Sequence, residues 1–275
     1  MIRSRSLPPG WYPGDERAVR RRLEEWSDAT PEERQFVSVV APHAGWDFSG
    51  ELAFRVLERL VSDAEVVAVV GGHLRRGNAV RVAPEDGYET PLGTLEAEAE
   101  LREFVRSRTD AEDDVVPDNT VEVQLPMVKY LFPQARAAYL RSPPDEGAVR
   151  LGEVLGAYAE ESGRRLAVVG STDLTHYGPN FGFTPRGVGE ESVRWAREEN
   201  DRGFLDAVVA MDADRAIEHA LANHSACSPG AAATAVSFAR ALGVKEGTLV
   251  GYASSYDKHR DASFVGYGGV GFAAA

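Results

Sequence analysis

Residues 65–70 read Glu-Val-Val-Ala-Val-Val, a near-continuous apolar run set between two stretches of helical periodicity. A strand that alternates apolar and polar residues has one wet face. A run with no alternation must be covered on both faces, which is the mark of a parallel strand inside a layered α/β sheet. Residues 36–41 (Phe-Val-Ser-Val-Val-Ala) and 165–170 (Arg-Leu-Ala-Val-Val-Gly) repeat the pattern, and residues 135–140 supply a fourth strand candidate. Helical spacing fills the intervals. Helices are expected from Asp15 to about Ser27 and over residues 50–61, 95–106, 121–131 (redirected near Pro126), 147–162, 190–210, 212–221 and 230–242. Residues 79–83 and 88–92 read as short extended pieces split by Pro84 and Gly87, an excursion from the main sheet. The acidic stretch 110–119 reads as surface loop, and residues 248–255 and 263–272 as two late strands. The order implies a layered α/β fold with a mostly parallel central sheet flanked by helices, in a single domain over 1–275.

Three of those strands end in the same way. Residues 36–41 are followed by His43, residues 65–70 by Gly71-Gly72-His73, and residues 165–170 by Ser171-Thr172-Asp173-Leu174-Thr175-His176. In an open parallel sheet all carboxyl ends lie on one edge, and ligands bind there. Three of the chain's 6 histidines are therefore expected to converge from distant parts of the sequence. Asp257 and His259 follow the late strand and can join them. Two imidazoles and a carboxylate form the facial set that holds ferrous iron with positions open to substrate and dioxygen; the same ligands can hold zinc and a water. His43 and His73 are the first choices as ligands. The carboxylate can be Asp257, Glu122 or Asp173, with Asp257 favoured because it too lies beyond a strand. His176 is better placed as acid or base, with Asp173 three residues before it to orient the ring. His224 and Cys227, in the loop before the 230–242 helix, can line the rim of the pocket, although a buried inert thiol is the commoner fate of a single cysteine. His219 falls inside a helix pattern and is expected to be structural.

Composition narrows the classes. The formal net charge of −13 repels phosphate backbones, and no basic patch interleaved with aromatics offsets it, so nucleic acid is not an expected partner. The lone Cys227 excludes an internal disulfide and fits a reducing compartment. No apolar run reaches the roughly 18 residues of a membrane span. The basic N-terminus has no apolar stretch behind it, so the expected location is cytoplasmic. There is no P-loop, no H-E-x-x-H, no C-x-x-C and no G-x-S-x-G elbow.

Several segments resemble the Memo family, also called AmmeMemoRadiSam system protein B. Gly10-Trp11-Tyr12-Pro13 looks like its opening G-x-[FW]-Y-P. Ala41-Pro42-His43-Ala44-Gly45-Trp46-Asp47-Phe48-Ser49-Gly50 is similar to its A-P-H-A-G signature. Asn119-Thr120-Val121-Glu122, Ser171-Thr172-Asp173-Leu174-Thr175-His176-Tyr177, Ala226-Cys227-Ser228-Pro229-Gly230 and Ser254-Ser255-Tyr256-Asp257 resemble later blocks. The resemblance implies the fold of LigB-type, class III extradiol dioxygenases. It also implies Fe(II), with copper or zinc as alternatives, held by His43, His73 and a group at Asp257. Asp173 and His176 are then catalytic, and Asn119, Glu122, Tyr177, His224 and Cys227 line the substrate. Two departures stand out: Gly71-Gly72-His73 replaces the family's G-P-[SN]-H, and Asn119 stands where a histidine is usual. The expected activity is that of a dioxygenase-like oxidoreductase acting on a small aromatic or enolic molecule. The alternatives are a binding or partner protein that keeps the fold without the chemistry, and a zinc hydrolase. A homo-oligomer is compatible with any of them.

Overall fold

The computed structural model describes residues 1–27 and 36–274. Nine strands form the main sheet among the described residues: β1 (Phe36–Ala41), β2 (Val66–Gly71), β3 (Val80–Val82), β4 (Ala111–Asp113), β5 (Arg136–Arg141), β6 (Leu166–Ser171), β7 (His176–Tyr177), β8 (Thr248–Ser254) and β9 (Phe264–Ala273). Their spatial order is β7-β9-β1-β6-β2-β5-β3-β4, with β8 on the other side of β9. The four central strands β1, β6, β2 and β5 are parallel. Both flanks are not: β9 runs antiparallel to β1, β7 and β8, and β3 antiparallel to β5. The layered α/β expectation holds, and the mostly parallel expectation is corrected to a mixed sheet with a parallel centre.

The apolar runs do what their pattern demands. On β2, Val66, Ala68 and Val70 feed one core while Val67 and Val69 feed the other. The first core is closed by helices α1 (Glu146–Ser162), α2 (Asp201–Val209), α3 (Ala213–Asn223) and α4 (Pro229–Ala241). The second is closed by the helices Glu16–Trp26, Glu51–Leu57 and Leu125–Leu131. Helix α4 is buried from Pro229 to Ala239, the state expected of a helix that is apolar or small on every side. It lies so close to the sheet that a Cβ on Gly170 would meet the Ala231 carbonyl at 2.5 Å. Its N-terminus is thereby brought to the carboxyl edge of the parallel strands.

The register at that edge is flush. Ala41 pairs with Ser171 and Gly71 with Arg141, while Val70 pairs with Gly170. His43, His73 and Asp173 each stand two residues beyond such an end, so equal offsets along the chain become neighbours in space.

Some local expectations are corrected. Residues 93–96 form the second arm of a hairpin, Gly87–Thr90 with Gly93–Glu96, and the helix expected from 95 begins at Ala99, capped by the Glu98 side chain. The hairpin and Ile2–Arg3 make a small second sheet. The acidic 110–119 stretch is not mere surface: Ala111–Asp113 is a strand, Asp114 is buried against Arg141, and Asp118 caps the short Asn119–Glu122 helix. The 190–210 helix contains a wide π-type turn over Ala196–Asn200, which directs Asn200 and Asp201 inward. No helix of the described residues is long and apolar enough to cross a membrane.

Candidate metal centre

His43, His73 and Cys227 meet at the carboxyl edge, each offering a ligand atom within 4.8 Å of the others. Nε2 of His43 and Sγ of Cys227 are 3.2 Å apart. The two imidazoles are nearly perpendicular, with centroids 5.3 Å apart. Tetrahedral coordination by nitrogen at about 2.0–2.1 Å and sulfur at about 2.3 Å requires donor separations of this order.

Local structure explains each position. Gly71 and Gly72 precede His73 because neither tolerates a side chain: a Cβ on Gly71 would strike Thr120, and one on Gly72 would meet Ser228 Cβ at 2.4 Å. The Cys227 turn therefore packs directly against the β2 end. That turn is docked from below, where Cys227 N–H donates to the Asp173 carbonyl (3.2 Å) and Ser228 N–H to Thr172 Oγ1 (3.0 Å). His73 adopts the left-handed conformation, φ 58, which histidine visits more readily than most residues but at a cost. His43 is buried, and its backbone N–H donates to Asp173 Oδ1 (2.7 Å), as does that of Ala44 (3.2 Å).

Each ring has its second nitrogen occupied. His43 Nδ1 lies 3.3 Å from Ser171 Oγ, which accepts from Gln124 Nε2. His73 Nδ1 lies 3.2 Å from Asp118 Oδ2. Such outer partners fix tautomer and ring orientation in metal sites. Burial acts to lower the His43 imidazole, but the Cys227 thiolate and the Asp173 carboxylate outweigh it and push it up to about 9. Burial likewise opposes ionisation of His73, and hydrogen bonds to Asp118 and Cys227 push it up to about 10. Burial acts to raise the Cys227 thiol, yet the two imidazoles hold it well below its ordinary range. Burial acts to raise Asp118, but His73 and Thr120 hold it at about 2. Burial lifts Asp173 above the usual carboxylate range. In the metal-free protein these shifts favour the thiolate at Cys227 and the charged imidazoles beside it.

Above the cluster opens a cleft of about 660 Å³ lined by His43, His73, Asn119, Asp173, His176 and His259, with Trp11, Phe48, Phe181 and Tyr267 as aromatic walls. His176 Nδ1 lies 3.1 Å from the Leu174 carbonyl, which only accepts, so Nδ1 carries the hydrogen and Nε2 is left to exchange a proton. The turn carrying it is anchored by Asp201, whose Oδ1 accepts from Thr175 N–H (3.0 Å) and whose Oδ2 accepts from Tyr252 OH (2.7 Å). Burial pushes Asp201 up to about 6.

Four expected site residues lie elsewhere. Asp257 pairs with both oxygens to Arg197 (2.7 and 2.9 Å), and its Oδ2 also accepts from Ser254 N–H, so its carboxylate is spent in an exposed capping box. Glu122 is turned to the N-terminal arm, where it accepts from Ser6, Leu7 N–H (3.0 Å) and Tyr12 OH (2.9 Å). Tyr177 is fully buried, stacked on Phe264 at 5.0 Å with its hydroxyl on Gly187. His224 caps α3 in the left-handed conformation beside Phe183, outside the cleft. Cys227 sits in the cluster itself rather than at the rim. Its available signal was position: it precedes Ser228-Pro229-Gly230, the start of a helix apolar enough to be laid on the sheet. His219 lies 2.8 Å from Ser225 Oγ, a structural contact.

A family profile described as Memo-like protein matches residues 3–271. The chain is 29% identical over 289 residues to a MEMO1 family protein of Thermococcus onnurineus, with 99% of each covered. It is 30% identical to MEMO1 family proteins of Methanothermobacter thermautotrophicus (97% of this chain, 99% of the relative) and Methanopyrus kandleri (99% of each). The crystal structure of an uncharacterized protein from Escherichia coli K12 superposes with a TM-score of 0.54 over 85% of this chain and 99% of that one, at 11% identity, a likeness of fold alone.

Proposed function

The chain belongs to the Memo-like family, and from that premise we propose that it is a metal-binding protein of oxidoreductase type, with His43, His73 and Cys227 holding one redox metal at the floor of the cleft. The observation that carries the reading is the convergence of two imidazoles and a thiolate within 4.8 Å, each imidazole with its other nitrogen already partnered. The donor set departs from two histidines and a carboxylate, because the thiolate stands where Asp257 was expected. Iron, copper and zinc all accept imidazole and thiolate; a set of two histidines and one cysteine is also that of electron-transferring copper. Three protein donors would leave a metal open to a further ligand, as in sites that bind substrate rather than only stabilise a fold, and two of the three, His43 and His73, line the cleft.

The chain's own groups set the rest. A metal so held would exchange electrons with a small ligand or activate dioxygen towards it. Asp173 fixes the His43-Ala44 turn through two backbone N–H groups. His176 Nε2 gives or takes a proton at the cleft wall, and Asn119 offers a neutral donor and acceptor to the ligand. The aromatic walls suit a small apolar or aromatic body, and the volume fits one such molecule. A LigB-type dioxygenase-like fold is the accompanying assignment, supported by the layered sheet and a site at parallel strand ends.

The test is metal content. Protein purified under anaerobic conditions should carry about one iron or copper per chain, and His43→Ala should lose it. Equal metal in both would overturn the reading. Stoichiometric zinc with oxygen-independent hydrolysis would turn it to the hydrolase class. Ligand binding in the cleft that survives removal of the metal would turn it to a binding protein.

A further inference from the structure

Asp118, the outer partner of His73, is itself one member of a buried ion cluster beneath the cleft. Arg141 ends β5 with its guanidinium under the His73 turn. Nε and Nη2 donate to Asp114 at 2.8 and 2.7 Å, a buried pair. Nη1 reaches Asp118 Oδ2 at 3.2 Å and the Gly72 carbonyl at 3.4 Å. The same Asp118 Oδ2 faces His73 Nδ1 at 3.2 Å, while Asp118 Oδ1 accepts from Thr120 N–H at 2.9 Å. Tyr139 OH donates to the Asp118 carbonyl at 3.0 Å, and Arg3 donates to that of Asp114.

We propose that Asp118 and Arg141 are positioning residues for the metal, which hold His73 by its ring and by the backbone before it, and so set how tightly and in what geometry the ion is bound. The inference rests on the metal reading of the preceding subsection. His73 is the one ligand that is exposed and in a strained backbone conformation, so it needs an external hold that buried His43 does not. Arg141 supplies it through one nitrogen, Nη1, which donates both to Gly72 O, fixing the peptide, and to Asp118 Oδ2, which faces the ring. Asp114 occupies the other two nitrogens, Nε and Nη2, which keeps Arg141 from drawing Asp118 away from the imidazole. Lysine has a single ammonium and cannot span Asp114, Asp118 and Gly72 O together.

The experiment is cobalt(II) titration of the full chain, read by the sulfur-to-cobalt charge-transfer band and the d–d bands. Asp118→Asn should weaken binding by about tenfold to a hundredfold, the usual cost of losing an outer partner of a ligating histidine. The charge-transfer band should persist, since Cys227 is untouched, while the d–d bands shift with the freed His73. Because Asp118 also caps the Asn119–Glu122 helix, Arg141→Lys is the second variant; it leaves the cap in place and should weaken binding in the same direction. Circular dichroism of the metal-free proteins separates these losses from unfolding. Affinity and d–d bands unchanged in a folded Asp118→Asn or Arg141→Lys would overturn this inference and leave the metal reading standing. Wild-type protein that takes up no cobalt through Cys227 would overturn both.

Discussion

His73 and Asp257 make an instructive pair. Both follow a strand end at the same edge of the sheet, and both are natural metal ligands by residue type. His73 reaches the cluster, because the two glycines before it let the Cys227 turn press against β2, and with Asp118 on one ring nitrogen the other is left for the cluster. Asp257 stands one short helical turn past β8, and its two oxygens are consumed by Arg197 and by the Ser254 N–H. Position at a strand end brings a side chain to the working edge. Whether it acts there depends on how many of its polar atoms the local fold has already satisfied.

The largest expected effect separates the two regions by pH. Metal binding requires neutral His43 and His73, which in the metal-free protein are pushed up to about 9 and about 10, while Cys227 is already a thiolate. Below about pH 9 binding therefore releases two protons. Apparent affinity should fall by up to about a hundredfold for each unit of acidification. Calorimetry in buffers of different ionisation enthalpy counts the protons, and a pH-independent affinity would place the ion away from the histidines. A smaller effect is expected from Gly72→Ala, whose methyl group meets Ser228. Overpacking of this kind costs about 1–3 kcal/mol, read by denaturant unfolding, and the displaced Cys227 turn should also weaken metal binding. Glu122→Ala should strip the N-terminal arm of its carboxylate partner, costing about 1–3 kcal/mol and exposing residues near Ser6 to proteolysis, with metal content retained. Metal loss in that variant would return Glu122 to the site. The smallest effect belongs to Asp257→Asn, an exposed pair worth about 1 kcal/mol or less, with metal content unchanged.

Much of this arrangement was legible in the sequence. Unalternated runs such as Val66–Gly71 marked the parallel strands, because only a strand covered on both faces can be apolar throughout. Parallel strands then imply one working edge, and His43, His73, Asp173 and His176 followed from it as neighbours. The antiparallel flanks were not legible, since β8 and β9 read the same in either direction. Cys227 was visible but assigned to the rim. Its distance from His43 along the chain is bridged only when α4 is laid across the sheet, and that packing depends on small residues meeting Gly170 rather than on any motif. The Asp114-Asp118-Arg141 cluster hid in an acidic stretch that resembles solvated loop, because burial of a carboxylate is decided by an arginine 27 residues away. Glu122, a candidate ligand or substrate contact by sequence, is turned away from the cleft because its partners lie in an arm whose path no periodicity predicts.

X-ray absorption at the edge of the bound metal tests the central claim most directly. The account predicts one sulfur at about 2.3 Å and two imidazole nitrogens at about 2.0–2.1 Å, with the sulfur contribution lost in Cys227→Ser. A metal surrounded only by oxygen and nitrogen in the wild-type protein, unchanged by Cys227→Ser, would contradict it.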